Sequence, residues 1–208
     1  MGRTMSLTSA PGQAYFDTLF DGSDDPWQFR TRWYEARKRA LTLACLPALR
    51  FAHGYEPGCA NGELSAALAE RCERLLVSDG SARAVALARE RLAAWPHVQV
   101  LQAWLPQAWP QQRFDLIVIS ELGYFLDPAS LDALADKALA TLQPGGTLLA
   151  CHWRRAITGC ALDGDEVHRR LGERLGLKPI TQLREADFNL DVWSRDGRSV
   201  AEREGFAW

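Results

Sequence analysis

From about residue 50 onward the chain alternates short apolar strands with helical stripes, and that alternation leaves few folds open to it. Phe51–Glu56 reads as a strand that runs into the glycine-rich turn Pro57-Gly-Cys-Ala-Asn-Gly62. Leu64, Ala67, Leu68 and Cys72 then recur at helical spacing. Leu75–Val77 is a short buried strand ending at Asp79, and Val85, Ala88 and Leu92 mark a helix stopped before Pro96. Val98–Leu101 is a third strand. Phe114–Ser120 is a fourth, apolar enough for the middle of a sheet. Leu131, Leu134, Ala135, Ala138 and Leu142 form the cleanest helical stripe, and Pro144-Gly145-Gly146 turns into a fifth strand, Thr147–Ala150. A helix near Asp165–Leu175 and two strands around Ile180–Arg195 complete the pattern. Strands and helices in alternation predict a three-layer, doubly wound α/β fold with a seven-stranded, mostly parallel sheet.

The N-terminal part lies outside this pattern. Residues 1–12 read as a loose tail, and Tyr15, Phe16, Leu19 and Phe20 suggest a short amphipathic helix. Asp25-Pro26 carries the signal of a helix start, predicting one helix through Arg39 to about Cys45. The expected organisation is a tail and helical lid over 1–49, a core over 50–196 and a tail over 197–208.

With 24 basic and 26 acidic side chains, the net charge of −2 argues against a nucleic-acid binder. Five cysteines without a C-x-x-C pair suggest neither a disulfide framework nor zinc, and no metal-ligand spacing occurs elsewhere. Without a signal-peptide h-region or a run of about 18 apolar residues, the expected location is cytoplasmic, away from membranes, as a monomer or weak homodimer.

In open α/β sheets the ligand sits beyond the carboxyl ends of the strands, so the residues just after each strand carry the information. After the first strand comes Glu56-x-Gly58-x-x-x-Gly62, opening a helix whose N–H groups are free. After the second comes Asp79, 21 positions beyond Gly58, the spacing at which a carboxylate meets ribose hydroxyls. A dinucleotide site would place glycine at position 60 so that a pyrophosphate can touch the backbone, but this chain has Ala60, with the acidic Glu56 before the turn. An adenosine ligand with an ammonium and no phosphate suits these residues better. S-adenosylmethionine is such a molecule.

Glu56-Pro-Gly-Cys-Ala-Asn-Gly-Glu-Leu64, Leu76-Val-Ser-Asp79, Phe114-Asp-Leu-Ile-Val-Ile-Ser-Glu121-Leu-Gly-Tyr124 and Leu142-Gln-Pro-Gly-Gly146 resemble the ordered motifs of class I S-adenosylmethionine-dependent methyltransferases. Tyr15-Phe-Asp, Asp25-Pro-Trp27, Trp33-Tyr-Glu-x-Arg-Lys38, Cys151-His-Trp-Arg154, Gly164-Asp165 and Asp187-Phe-x-Leu-Asp-Val-Trp193 resemble, more narrowly, the nodulation protein NodS family, which methylates an amino group of a chito-oligosaccharide. The resemblance covers roughly residues 13–195.

It implies that Gly58, Cys59 and Gly62 line the amino-acid end of S-adenosylmethionine, with Glu56 near its ammonium. Asp79 would bind the ribose, Gly80 and Ser81 would edge the adenine, and Trp104 and Leu105 would flank it. Ser120 and Glu121 would face the transferring methyl. From the lid, Trp27, Arg32 and Tyr34 would supply an aromatic wall and a cation for the cofactor carboxylate. Glu121, Tyr124 and His152 are the expected catalytic or acceptor-binding residues, with S-adenosylhomocysteine as product and a small molecule or oligosaccharide as acceptor. Methylation of oxygen or sulfur remains an alternative, as do a nicotinamide-dinucleotide oxidoreductase and a silent binding module.

Overall fold

The computed structural model describes residues 11–206. Seven strands form one sheet: β1 (Gly54–Pro57), β2 (Leu75–Asp79), β3 (Val98–Gln102), β4 (Phe114–Ser120), β5 (Leu142–Trp153), β6 (Pro179–Arg184) and β7 (Phe188–Ser194). Their order is β3-β2-β1-β4-β5-β7-β6. The first five are parallel, and β7 runs antiparallel between β5 and β6. The chain order reverses direction between β1 and β4, which places the switch point, and hence the crevice for a ligand, beside the ends of those two strands.

Strand β4 shows why the sheet is central. Its side chains alternate between faces, and both faces are dry. Ile117 and Ile119 pack into a cluster with Leu131 and Leu134 of α5 (Pro128–Thr141) and with Val167 and Leu171 of α6 (Gly164–Leu175). Leu116 and Val118 pack into a second cluster with Ala66 and Leu68 of α3 (Glu63–Ala69) and with Ala88 of α4 (Ala82–Arg91). Leu46, just beyond α2 (Trp33–Ala44), closes that second cluster, so the end of the N-terminal segment is part of the core. The starts of α5 and α6 are fixed by side-chain caps, which satisfy otherwise unpaired N–H groups. Asp127 accepts from Ser130 N ahead of Pro128, and Asp163 accepts from Glu166 N.

Three sequence expectations change. Helix α2 begins at Trp33, not Pro26, and is preceded by α1 (Gln13–Gly22) and a set of turns. The Asp25 carboxylate does accept backbone N–H bonds, from Phe29 and Arg30, but it also takes one from Asn61 Nδ2, and Gln28 is left-handed at φ 61°. That arrangement turns Trp27 and Phe29 toward the crevice instead of around a helix axis. Pro144-Gly145-Gly146 forms a bulge inside β5, where the pairing jumps from Phe114–Leu142 to Leu116–Thr147 and Gly145 takes φ 73°. The expected C-terminal tail contains a short helix, α7 (Val200–Arg203), closed by a Ser199–Glu202 capping box.

Phe114 is fully buried, stacked on Tyr55 at 5.0 Å between ring centroids. Phe114→Ala is expected to cost about 3–5 kcal/mol, read as a lowered midpoint in urea with an unchanged slope.

Candidate functional site

A cavity of about 560 Å³ opens over the carboxyl ends of β1, β2 and β4 and is roofed by the N-terminal segment. Its floor is built by the turn after β1. Gly58 and Cys59 donate their N–H groups to Ser78 O, at 2.7 and 2.9 Å, which ties the turn to β2. Gly58 takes φ 75° and Ala60 φ 49°, the latter at a cost of about 1–2 kcal/mol for a residue with a Cβ. The strained geometry aims Ala60 N at Asp79 Oδ2, 2.9 Å away, while Ser81 N donates to Asp79 Oδ1, also at 2.9 Å. These two bonds leave hydrogen-bonding capacity on the carboxylate, which lines the cavity. Burial raises the Asp79 pKa, and the backbone donors Ser81, Ala60 and Gly80 oppose the rise.

Glu56 lies deeper, fully enclosed, with Oε2 accepting from Ser65 Oγ at 2.5 Å. Burial pushes its pKa up to about 8, partly countered by that hydrogen bond. Gly80 lies flush against the Trp104 ring. A Cβ there would come within 2.3 Å of Trp104 Cε3, so glycine is what allows the indole to form the wall. Phe16 and Phe125 extend this wall, edge to face at 5.0 Å. Leu105 and Ser120 also line the cavity, as do Trp27, Arg32 and Tyr34 from the roof.

The other end is polar. Glu121 sits just past β4 at φ 53°. Its Oε1 accepts from Lys38 Nζ at 2.7 Å; its Oε2 accepts from the Tyr124 hydroxyl and from Trp153 N at 3.1 Å. Lys38 is buried on α2 and also reaches Glu35, at 3.1 Å. Burial alone would lower the Lys38 pKa, but Glu121 and Glu35 more than offset it and the net shift is upward. Burial raises the Glu35 pKa against the pull of Lys38.

Three residues expected at the site stand off the cavity wall. Gly62 (φ 82°) starts α3, and a Cβ there would meet Ala88 Cα at 3.2 Å, so it serves the packing of α3 on α4. Ser81 turns its hydroxyl to cap α4. His152 is fully buried behind the wall, contrary to its expected place at the mouth. Its Nε2 accepts from Gly123 N at 3.0 Å, so the proton of the neutral ring is on Nδ1, facing His168 Nε2 at 3.1 Å. His168 Nδ1 in turn donates to Asp191 Oδ2 at 2.6 Å. Burial, with His168 and Lys38 nearby, drives the His152 pKa well below the histidine range.

Sequence reasoning passed over Phe16, Phe125 and above all Glu35 and Lys38. Nothing in local spacing shows that α2 carries Lys38 to the residue just past β4.

The family model for nodulation protein S matches residues 19–186. Nodulation protein S from Sinorhizobium fredii (strain NBRC 101917 / NGR234) is 30% identical over 183 residues, covering 86% of this chain and 80% of that protein. The chain belongs to the nodulation protein S family. A crystal structure of the N-methyltransferase NodS from Bradyrhizobium japonicum WM9, in complex with S-adenosyl-L-homocysteine, superposes with a TM-score of 0.79 at 27% identity, covering 88% of this chain and 97% of that one. A candidate methyltransferase from Pseudomonas syringae is 57% identical, with a TM-score of 0.72 over 79% of this chain and 100% of that one. The matched NodS segment includes α2, so the helix carrying Glu35 and Lys38 falls within the family's own span. Membership sets aside the nicotinamide oxidoreductase alternative.

The His152 arrangement has a pH consequence. The unfolded chain binds a proton at this histidine below about pH 6.5, whereas the folded chain does not, so stability falls as pH drops through that value. In His152→Leu the orphaned Gly123 N–H is expected to cost about 1–3 kcal/mol at pH 8. The loss of stability between pH 7 and pH 5 should be shallower than in wild type, as measured by urea titration at each pH.

Proposed function

We propose that this chain transfers a methyl group from S-adenosylmethionine to an amine nitrogen of a small molecule or oligosaccharide, with amino sugars the favoured class. It is a methyltransferase of the NodS type. S-adenosylmethionine, when bound, supplies an electrophilic methyl on a sulfonium. The residues present suit it. Asp79 has lone pairs left for two ribose hydroxyls, Gly80 and Trp104 make a flat slot for adenine, and the buried Glu56 is placed for an ammonium. Among the described residues no group of His, Cys, Asp and Glu could hold a metal ion.

The observation that carries the choice of nitrogen over oxygen or sulfur is the makeup of the acceptor end. Glu35 and Glu121 there face the Lys38 ammonium, with Arg39 also near Glu35, and two carboxylates on the wall of a largely enclosed pocket favour a cationic acceptor over a neutral hydroxyl or thiol. Trp153 and Tyr34, edge to face at 5.6 Å, add aromatic surface of the kind that covers a sugar face. Incubation with methyl-labelled S-adenosylmethionine and a panel of amino sugars, phenols and thiols tests the reading. Label is expected in the amino sugars, and label only in phenols or thiols would sink it.

Two binding measurements bear on the cofactor end. Asp79→Ala is expected to weaken S-adenosylhomocysteine binding by about 1.5–3 kcal/mol, the order of a lost charge-assisted hydrogen bond. Glu56 holds its proton up to about pH 8 in the free protein, so its contribution to stability is largest below about pH 4.5 and falls as pH rises toward 8. A ligand ammonium would favour the carboxylate, so binding at pH 7 is expected to release a proton. Titration calorimetry in buffers of differing ionisation enthalpy reads this directly, and Glu56→Gln should abolish the release.

A further inference from the structure

The two carboxylates at the acceptor end differ in how much of their hydrogen-bonding capacity is spent. Glu121 answers three donors: the Lys38 ammonium, the Tyr124 hydroxyl and the Trp153 N–H. It is clamped on both oxygens, at the end of a strand. Glu35 has one polar partner, Lys38, and lies on the cavity wall with over nine-tenths of its surface removed from solvent. Next to it, the Tyr34 hydroxyl is shielded from water and has no hydrogen-bond partner. A buried carboxylate with lone pairs left over after its contacts to Lys38, lining an enclosed space, is what a ligand nitrogen bearing several protons would complete.

We infer that Glu35, and not Glu121, receives the acceptor amine: it binds the ammonium, takes its proton and releases the nitrogen lone pair for methylation. Lys38 and Glu121 hold Glu35 in position. This inference rests on the amine-methylation reading above. The proton balance closes. An ammonium R–NH3⁺ gives one proton to the Glu35 carboxylate and becomes R–NH2. The nitrogen lone pair then forms the new N–C bond as the methyl–sulfur bond breaks and its electron pair stays on sulfur, and the resulting R–NH2⁺–CH3 leaves as a cation.

The groups that face Glu35 are Lys38, Arg39 and Tyr34 on α2 and Glu121 and Cys151 from the sheet. Lys38 and Arg39 favour its ionised form, while burial and Glu121 oppose it. A carboxylate so placed titrates above its ordinary range and is a stronger base than a surface one.

The test compares Glu35→Gln and Glu121→Gln with wild type, using glucosamine as the amine and N-acetylglucosamine as the control without a basic nitrogen. Three quantities are read: S-adenosylhomocysteine affinity, glucosamine binding to the S-adenosylhomocysteine-loaded protein, and kcat against pH. Glu35→Gln is expected to keep S-adenosylhomocysteine affinity within about twofold, weaken glucosamine binding at least about tenfold, and lower kcat about 10²-fold at pH 7. The acid limb of its rate profile should move up toward the ionisation of the free amine, since only already neutral amine can then react. If the limb stays in place for Glu35→Gln, or moves for Glu121→Gln instead, the assignment is overturned. Should Glu35→Gln fail to fold, Glu35→Asp keeps the charge one methylene further back, and unchanged glucosamine binding and rate profile in that variant overturn the assignment equally. A wild-type protein that binds S-adenosylhomocysteine but methylates no amine refutes the parent reading instead, and is recognised before any variant is made.

Discussion

A single buried ammonium fastens the roof of this molecule to its sheet. Lys38 projects from α2 and ends between Glu35, on the same helix, and Glu121, at the tip of β4. Charges taken out of water are expensive, and one left unpaired there typically costs about 3–5 kcal/mol. The contact therefore specifies one seating of the helix: a slip by a turn would strand Lys38 or Glu121. Around it gather the left-handed backbone at Glu121, the Tyr124 hydroxyl and the Trp153 N–H. Arg37, held by both oxygens of Glu185, and Arg39, on Phe29 O, fix the same helix at two further points.

Behind the cavity wall lies a second polar line, Asp191–His168–His152–Gly123 N–H. Its hydrogen bonds can be drawn in one direction only, which keeps both rings in single tautomers. It holds the 3₁₀ turn Gly123–Phe125 against β5, and the carbonyl of Cys151 takes the Glu121 N–H beside it. Glu121 is thus supported from two sides, by α2 through its ammonium and by the β5–α6–β7 wall through its backbone.

The strands were legible because their apolar runs end at turn residues, and strand order follows from the fold class once the alternation is seen. Asp79 and Glu56 were legible for a similar reason, being the first charged residues in the buried strands β2 and β1. What stayed hidden depends on distant packing. The Lys38–Glu121 contact joins residues 83 positions apart, and no local period announces it. His152 was misplaced because a residue at the end of a strand can face the crevice or the helix layer, and alternation within β5 decides which. The start of α2 was misjudged for a different reason: the Asp25 carboxylate satisfies N–H groups of a turn as readily as those of a helix.

The reversed strand β7 gives the architecture an unusual division of labour. Because it runs against its neighbours, its beginning and not its end lies at the ligand edge, and the turn joining it to β6 brings Asp187 to the cavity. The ends of the parallel strands β1 and β2 hold the portion of the crevice proposed for adenosine. The opposite portion is bounded by that hairpin turn and by the N-terminal helix, neither of which belongs to a strand–helix–strand unit. Selection can therefore redraw what enters one end of the crevice by altering a turn and a helix, while the other end keeps its geometry. A scaffold partitioned in this way can diversify its acceptors without relearning its methyl donor.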